Sequence, residues 1–131
     1  MSKVAIVILN WNGRKYLEQF LPSVLDTNYK NFEIVVADNG STDDSIAFLQ
    51  TNYPTIRLIT FTENFGFAKG YNEALKQIES EYYVLLNSDV EVTASWLQPM
   101  VNLLDSNQNI AACQPKLLSY KDKKMFEYAG S

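Results

Sequence analysis

Hydrophobic and polar positions alternate along this chain in blocks, and the blocks predict strands and helices in turn. Lys3–Leu9 is a continuous apolar run rich in Val and Ile, the pattern of a parallel strand buried on both faces. Asn10-Trp11-Asn12-Gly13 interrupts it. Over Arg14–Asp26 the residues Leu17, Phe20, Leu21, Val24 and Leu25 recur at helical spacing on one face. Pro22 falls inside that pattern, which predicts a kink or a division into two short helices. Glu33–Ala37 is a second strand, followed by the turn Asp38-Asn39-Gly40-Ser41-Thr42. Ser41 or Thr42 is placed to cap the next helix, with Asp43 and Asp44 in its first turn. That helix carries Ile46, Phe48 and Leu49 and ends at Tyr53-Pro54.

Ile56–Phe61 reads as a third strand and Glu63-Asn64-Phe65-Gly66 as a loop. A helix follows over Phe67–Glu79, then a fourth strand, Tyr82–Leu86, apolar throughout. Asn87-Ser88-Asp89 ends it. Ser95–Asp105 is helical, with Trp96, Leu97, Met100, Leu103 and Leu104 as its apolar positions. Ile110–Leu118 holds a fifth strand that Pro115 makes an edge or a bend. Strands alternating with helices of this length imply βαβ units, a mostly parallel sheet flanked by helices and an α/β fold. At 131 residues the chain makes one domain. The carboxyl ends of its strands share one rim, where open α/β sheets bind ligands.

The rim is polar at every strand: Asn10, Trp11 and Asn12 after the first, Asp38 and Asn39 after the second, Glu63 and Asn64 after the third, Asn87, Ser88 and Asp89 after the fourth. Such residues also favour turns for local reasons, but four polar ends around apolar strand bodies point to a site. Neither the dinucleotide fingerprint nor the P-loop is present. A bound phosphate therefore needs a metal, a helix N-terminus or a placed Lys.

Composition narrows the chemistry. The net charge is −4 and no basic stripe runs through the chain, which argues against nucleic acid; Lys121, Lys123 and Lys124 form the one local basic cluster. There is no histidine and one cysteine, Cys113, read as a small buried hydrophobe. Histidine triads and His or Cys zinc sites are excluded, and a metal must be hard and oxygen-ligated. Asp89, delivered by a rigid strand, suits Mg2+ or Mn2+, which one or two carboxylates plus substrate phosphates can hold. Ser88 and Glu91 are further donors. Asp38 can accept from a base N–H or a ribose hydroxyl, or cap its own turn. Trp11 can stack on a base or pack in its loop. Lys69, near a helix start, makes best sense beside an anion. No apolar run is long enough to span a bilayer, and no small-residue cleavage site follows the first one.

Four segments carry a family resemblance: VAIVILNWNG (Val4–Gly13), IVVADNGSTD (Ile34–Asp43), NFGFAKGYN (Asn64–Asn72) and YVLLNSDVEV (Tyr83–Val92). Gln114-Pro115-Lys116 and Tyr128-Ala129-Gly130 add to it. In this order they resemble the family 2 glycosyltransferases of GT-A fold, most closely the rhamnosyltransferase-like branch. The resemblance implies a Rossmann-like nucleotide-sugar-binding domain over residues 1–131. Leu9 and Trp11 would line the nucleoside pocket, Asn10, Asn12 and Asn39 would be among the nucleotide-sugar-binding residues, and Asp38 would read uracil or thymine. Lys69 and Asn72 would lie beside the donor. Asn87-Ser88-Asp89 stands for the metal-binding DxD motif, with Asn87 at its first acidic position and Asp89 as the metal ligand.

The implied reaction is inverting transfer of a sugar from a UDP- or dTDP-sugar to a saccharide or lipid-linked acceptor hydroxyl, in cell-wall or polysaccharide synthesis. The implied location is the cytoplasm, with peripheral attachment to the inner membrane face. Nothing here matches the family's acceptor-binding half with its carboxylate base. The expectation is thus a donor-binding piece of a longer enzyme, inactive alone, whose cut face can drive oligomerisation. A non-catalytic nucleotide-binding module and a nucleotidyltransferase making nucleotide sugars are the rival readings.

Overall fold

The computed structural model describes residues 2–106, 117–119 and 126–127. Its centre is a parallel sheet of four strands, β1 (Val4–Asn10), β2 (Phe32–Asn39), β3 (Arg57–Phe61) and β4 (Tyr82–Asn87), in the order β3-β2-β1-β4. The register pairs Leu9 with Ala37 and Asn87, and Asn10 with Asp38. Three helices pack on one face: α1 (Arg14–Leu25), α2 (Ser45–Asn52) and α4 (Leu97–Ser106). A fourth, α3 (Phe67–Leu75), covers the other. The α/β class and the parallel sheet are as expected.

Side chains alternate across each strand, so the two cores separate by residue number. Ile6, Ile8, Val36 and Leu86 meet Leu17, Leu21, Leu49, Leu97 and Val101 on the three-helix face. Ala5, Val7, Val35 and Ala37 meet Tyr71 and Ala74 of α3 on the other. The alanines on that face leave room for the Tyr71 ring. Trp96 Nε1 donates to Thr27 Oγ1 at 2.9 Å, tying the approach to α4 to the end of α1.

Several expectations change. Pro22 neither ends nor divides α1, which is one helix of 12 residues. Pro22 lacks an N–H for the carbonyl of Glu18, but both residues lie on the exposed face, where water serves instead. Ser41 and Thr42 do not cap α2. The helix begins at Ser45, so Asp43 and Asp44 precede its first turn rather than lying in it. Asp43 Oδ1 takes the Ser45 N–H at 3.0 Å and the Ser45 hydroxyl at 2.6 Å.

The helix α3 stops at Leu75, not Glu79; beyond it the Gln77 and Ile78 N–H groups turn back to the carbonyls three residues earlier. The fourth strand is not buried throughout: Tyr83 and Leu85 are exposed, because α3 covers β1 and β2 and leaves β4 bare on that face. Leu103 is exposed as well. A second, antiparallel sheet is formed by β5 (Val90–Glu91), β6 (Leu117–Ser119) and β7 (Phe126–Glu127). Not every strand is therefore parallel. Of the expected fifth strand, 110–116 lies outside the described residues, as do Cys113, the lysines 121, 123 and 124, and the segments 114–116 and 128–130.

Candidate functional site

The last residues of β1, β2 and β4 lie within the strands, so their side chains obey the same alternation as the cores. Leu9, Asn39 and Asn87 fall on the α3 face; Asn10 and Asp38 fall on the three-helix face. That division sorts the rim into a cavity wall and a supporting floor.

On the α3 side, a cavity of about 380 Å3 opens at the carboxyl ends of the strands. Leu9, Trp11, Asn39, Asn87, Ser88 and Asp89 line it, so six of the eleven sequence-predicted site residues come together there. Tyr16, Asn64, Gly66 and Phe67 complete the wall. Trp11 is 54% exposed and Phe67 is 64% exposed, so the lips of an otherwise polar cleft are aromatic. Asn39 is buried and holds the loop before α3. Its Nδ2 donates to Asn64 Oδ1 and to the Gly66 carbonyl, both at 3.1 Å, and its Oδ1 accepts the Phe65 N–H at 2.9 Å.

The floor is a buried hydrogen-bond network. Asn10 and Asp38 are both fully buried. Asn10 Nδ2 donates to Asp38 Oδ1 at 3.0 Å, and the Ser41 hydroxyl donates to the same oxygen at 2.7 Å. Asp38 Oδ2 accepts the Ser41 N–H at 2.9 Å. Asp38 was expected to share the cleft with Asp89; it lies beneath the wall instead, with its oxygens committed to the turn. Gly40, in that turn, has φ 77°, and a Cβ there would meet the Glu63 carbonyl carbon at 2.5 Å, so only glycine fits.

Asn12 also belongs to the floor rather than the pocket. It sits at φ 50°, the left-handed region that Asn tolerates. Its Oδ1 accepts the N–H groups of Thr42 and Asp43 at 2.7 and 3.1 Å, while its own N–H donates to Ser41 Oγ at 2.8 Å. Lys69 and Asn72 are exposed on α3 and do not line the cavity. Lys69 Nζ lies 4.7 Å from the centroid of the Phe65 ring, a cation–π contact.

Electrostatics single out a residue the sequence did not. The Tyr71 hydroxyl donates to the Leu86 carbonyl at 2.7 Å, just before Asn87-Ser88-Asp89. Burial pushes its phenol up to about 12, the Asp89 carboxylate adds to the rise, and a hydrogen bond with the Leu9 backbone opposes it. The helical pattern shows Tyr71 as apolar; nothing in it reveals the use of the hydroxyl. Tyr16 and Phe67 were missed because helical periodicity does not show which aromatic side chains reach the strand ends.

Among the described residues no three His, Cys, Asp or Glu side chains cluster to hold a metal. The donors present are one exposed carboxylate, Asp89, with the Ser88 hydroxyl and the Asn87 amide beside it. That set fits a hard cation completed by ligand phosphates and water, and no other type. No helix among the described residues is long and apolar enough to cross a membrane.

Comparison with known proteins agrees with this geometry. The S. aureus TarS 1–349 structure in complex with UDP-GlcNAc superposes with TM-score 0.71 at 26% identity, over 81% of this chain and 32% of its own. The mannosyltransferase PcManGT from Pyrobaculum calidifontis, in complex with GDP-Man and Mn2+, gives TM-score 0.62 at 25% identity, over 69% of this chain and 28% of its own. In sequence, the teichoic acid poly(glycerol phosphate) polymerase of Staphylococcus epidermidis is 30% identical over 98 residues, 72% of this chain and 14% of its own length. The aligned part of the chain spans between 14% and 39% of the first curated relatives. The profile of glycosyl transferase family 2 matches residues 5–128. With a parallel sheet of this kind beneath it and a match over nearly its whole length, the chain belongs to glycosyl transferase family 2.

Proposed function

We propose that this domain binds a nucleoside-diphosphate sugar together with Mg2+ or Mn2+, and serves inverting transfer of the sugar to an acceptor hydroxyl. One observation carries the reading: a single cavity at the strand ends has an exposed indole, Trp11, and an exposed carboxylate, Asp89, in its wall. A flat apolar surface suits a base, and a lone carboxylate suits a cation shared with a diphosphate. The UDP-GlcNAc and GDP-Man complexes of the structural neighbours support the donor class, and the Mn2+ in one of them supports the metal. When bound, the cation would stabilise charge on the departing diphosphate.

The chain's own residues divide the remaining work. Trp11 and Leu9 flank the nucleoside, and Asn39 holds the loop that forms the facing wall. Asp38 and Asn12 keep that wall in place from below, and Asp38 reads the base only through the residues it holds. Lys69 and Asn72 serve the donor from α3, whose first residue, Phe67, lines the cavity. The acceptor is a saccharide or a lipid-linked sugar, in keeping with the teichoic acid relative. The reaction takes place in the cytoplasm at the inner membrane face, within a longer protein that supplies the base.

Calorimetry with UDP, TDP and GDP, with and without Mn2+, tests this on the wild-type chain and on Asp89→Ala. The expected result is nucleotide binding that Mn2+ strengthens in the wild type and leaves unchanged in Asp89→Ala. Absence of binding by all three nucleotides, or a full Mn2+ effect in Asp89→Ala, overturns the reading.

A further inference from the structure

The floor network leaves one atom unexplained. Asn10 Oδ1 is buried and has no hydrogen-bond partner, although the side chain is fully enclosed. The amide cannot simply turn over, because its Nδ2 is held by Asp38, which accepts and cannot donate as a carboxylate. The orphan oxygen is therefore fixed in direction. A stranded buried acceptor is costly to the fold, so a fold that keeps one calls for a use.

The direction is given by Gly13. A Cβ built on Gly13 would lie 2.4 Å from Asn10 Oδ1 and 2.9 Å from Ser88 Oγ. Both oxygens thus crowd the same spot beside Gly13, which any side chain there would overlap. Gly13 has φ −108°, which any residue can adopt, so space and not backbone conformation is what the glycine provides.

We infer that, when a cation is held on Asp89, the Ser88 hydroxyl turns its proton to Asn10 Oδ1, so that the Ser88 oxygen presents its lone pairs to that cation. A serine hydroxyl has one proton and two lone pairs. Left free, the proton can point at the cation site and repel its charge. An acceptor fixed behind the hydroxyl takes that proton and leaves the oxygen as a neutral ligand. Asn10 is then a positioning residue acting through Ser88. With that bond made, Asp38, Asn10 and Ser88 link the turn after β2 to the metal end of the cleft. This inference rests on the proposed metal-assisted nucleotide binding and adds the means by which one neutral ligand is oriented.

Mn2+ affinity, read by electron paramagnetic resonance in the presence of saturating UDP, tests it, with thermal unfolding as a check on the fold. The partner that orients a metal ligand is worth about 10–100-fold in metal affinity, so Asn10→Ala should weaken Mn2+ by about tenfold, and Ser88→Ala by as much, with Ser88→Thr restoring most of that loss. Asn10→Ala should match Ser88→Ala, and the double variant should be no weaker than either single one. Gly13→Ala, which leaves both side chains present but drives a methyl group against both oxygens, should show the same loss in the Ser88 background and none in Ser88→Ala. It also decides the matter if Asn10→Ala does not fold. Unchanged Mn2+ affinity in Ser88→Ala, or independent losses that multiply in the double variants, overturns the inference. Failure of the wild-type chain to bind Mn2+ with UDP would instead fall on the proposed function.

Discussion

Asn10 donates its amide to Asp38 across the β1–β2 register, at 3.0 Å and out of contact with solvent. This pair fixes the rim from below. Asp38→Ala should therefore act first on stability. It strands the Asn10 amide and the Ser41 N–H, and each unsatisfied buried group costs roughly 1–3 kcal/mol. Chemical denaturation should show a lower midpoint, and nucleotide affinity should fall with the loss of the ordered wall. A variant of wild-type stability that merely binds uridine nucleotides less well would assign Asp38 a direct role in reading the base.

Trp11 offers a convenient optical reporter. The chain has two tryptophans; Trp11 is exposed at the cleft, whereas Trp96 is buried with its indole N–H bonded to Thr27. Nucleotide binding should quench the exposed indole and leave the buried one unchanged. Trp11→Ala should weaken UDP by about 1–3 kcal/mol, the usual scale of base stacking on an aromatic ring. An equal fluorescence response in Trp11→Phe would show that the base lies elsewhere.

At the acid end, the junction between α1 and α2 should loosen first. Burial acts to raise the Asp43 carboxyl, but hydrogen bonds from the Ser45 side chain and backbone and from the Arg14 N–H outweigh it, and the group titrates below its ordinary value. A depressed carboxyl stabilises the fold above its unfolded pKa, and that stabilisation is lost as pH falls through the folded one. Thermal unfolding followed from pH 5 downward should show a steeper decline in wild type than in Asp43→Asn. Parallel curves would remove Asp43 from the account.

The alkaline end has the opposite sign. Tyr71 is raised to about 12, so its neutral phenol contributes stability fully below the unfolded value near 10, and the contribution disappears as pH rises through 12. Ultraviolet difference titration should reveal a late-ionising tyrosine that Tyr71→Phe abolishes. The same substitution should cost about 0.5–1.5 kcal/mol through the lost bond to the Leu86 carbonyl.

Strand bodies were legible because apolar runs such as Val4–Leu9 are unambiguous, and four polar strand ends located the rim. What escaped was the side of the sheet each rim residue faces. Reading β1 to stop at Leu9 and β2 at Ala37 treats Asn10, Asp38 and Asn39 as loop, where orientation is free. Both strands run on to Asn10 and Asn39, and a period of two then sends Asn39 to the cavity and Asp38 to the floor. Helix limits escaped for a different reason: α3 ends three residues before its apolar pattern does, because Ile78 packs on the sheet from a turn that no longer has helical bonding. Tyr83 and Leu85 read as core because periodicity does not report how much of a sheet a helix covers.

The cross-ties among Asn12, Ser41, Thr42 and Asp43 make two loops move as one body. For anyone who wishes to retune what the cleft accepts, this sets an order of work. Substitutions on the tethered side will be felt first as lost folding, and selection for new specificity will stall there. The opposite lip, at Phe67, is exposed on the first turn of its helix, so variation can be accumulated there without dismantling the scaffold.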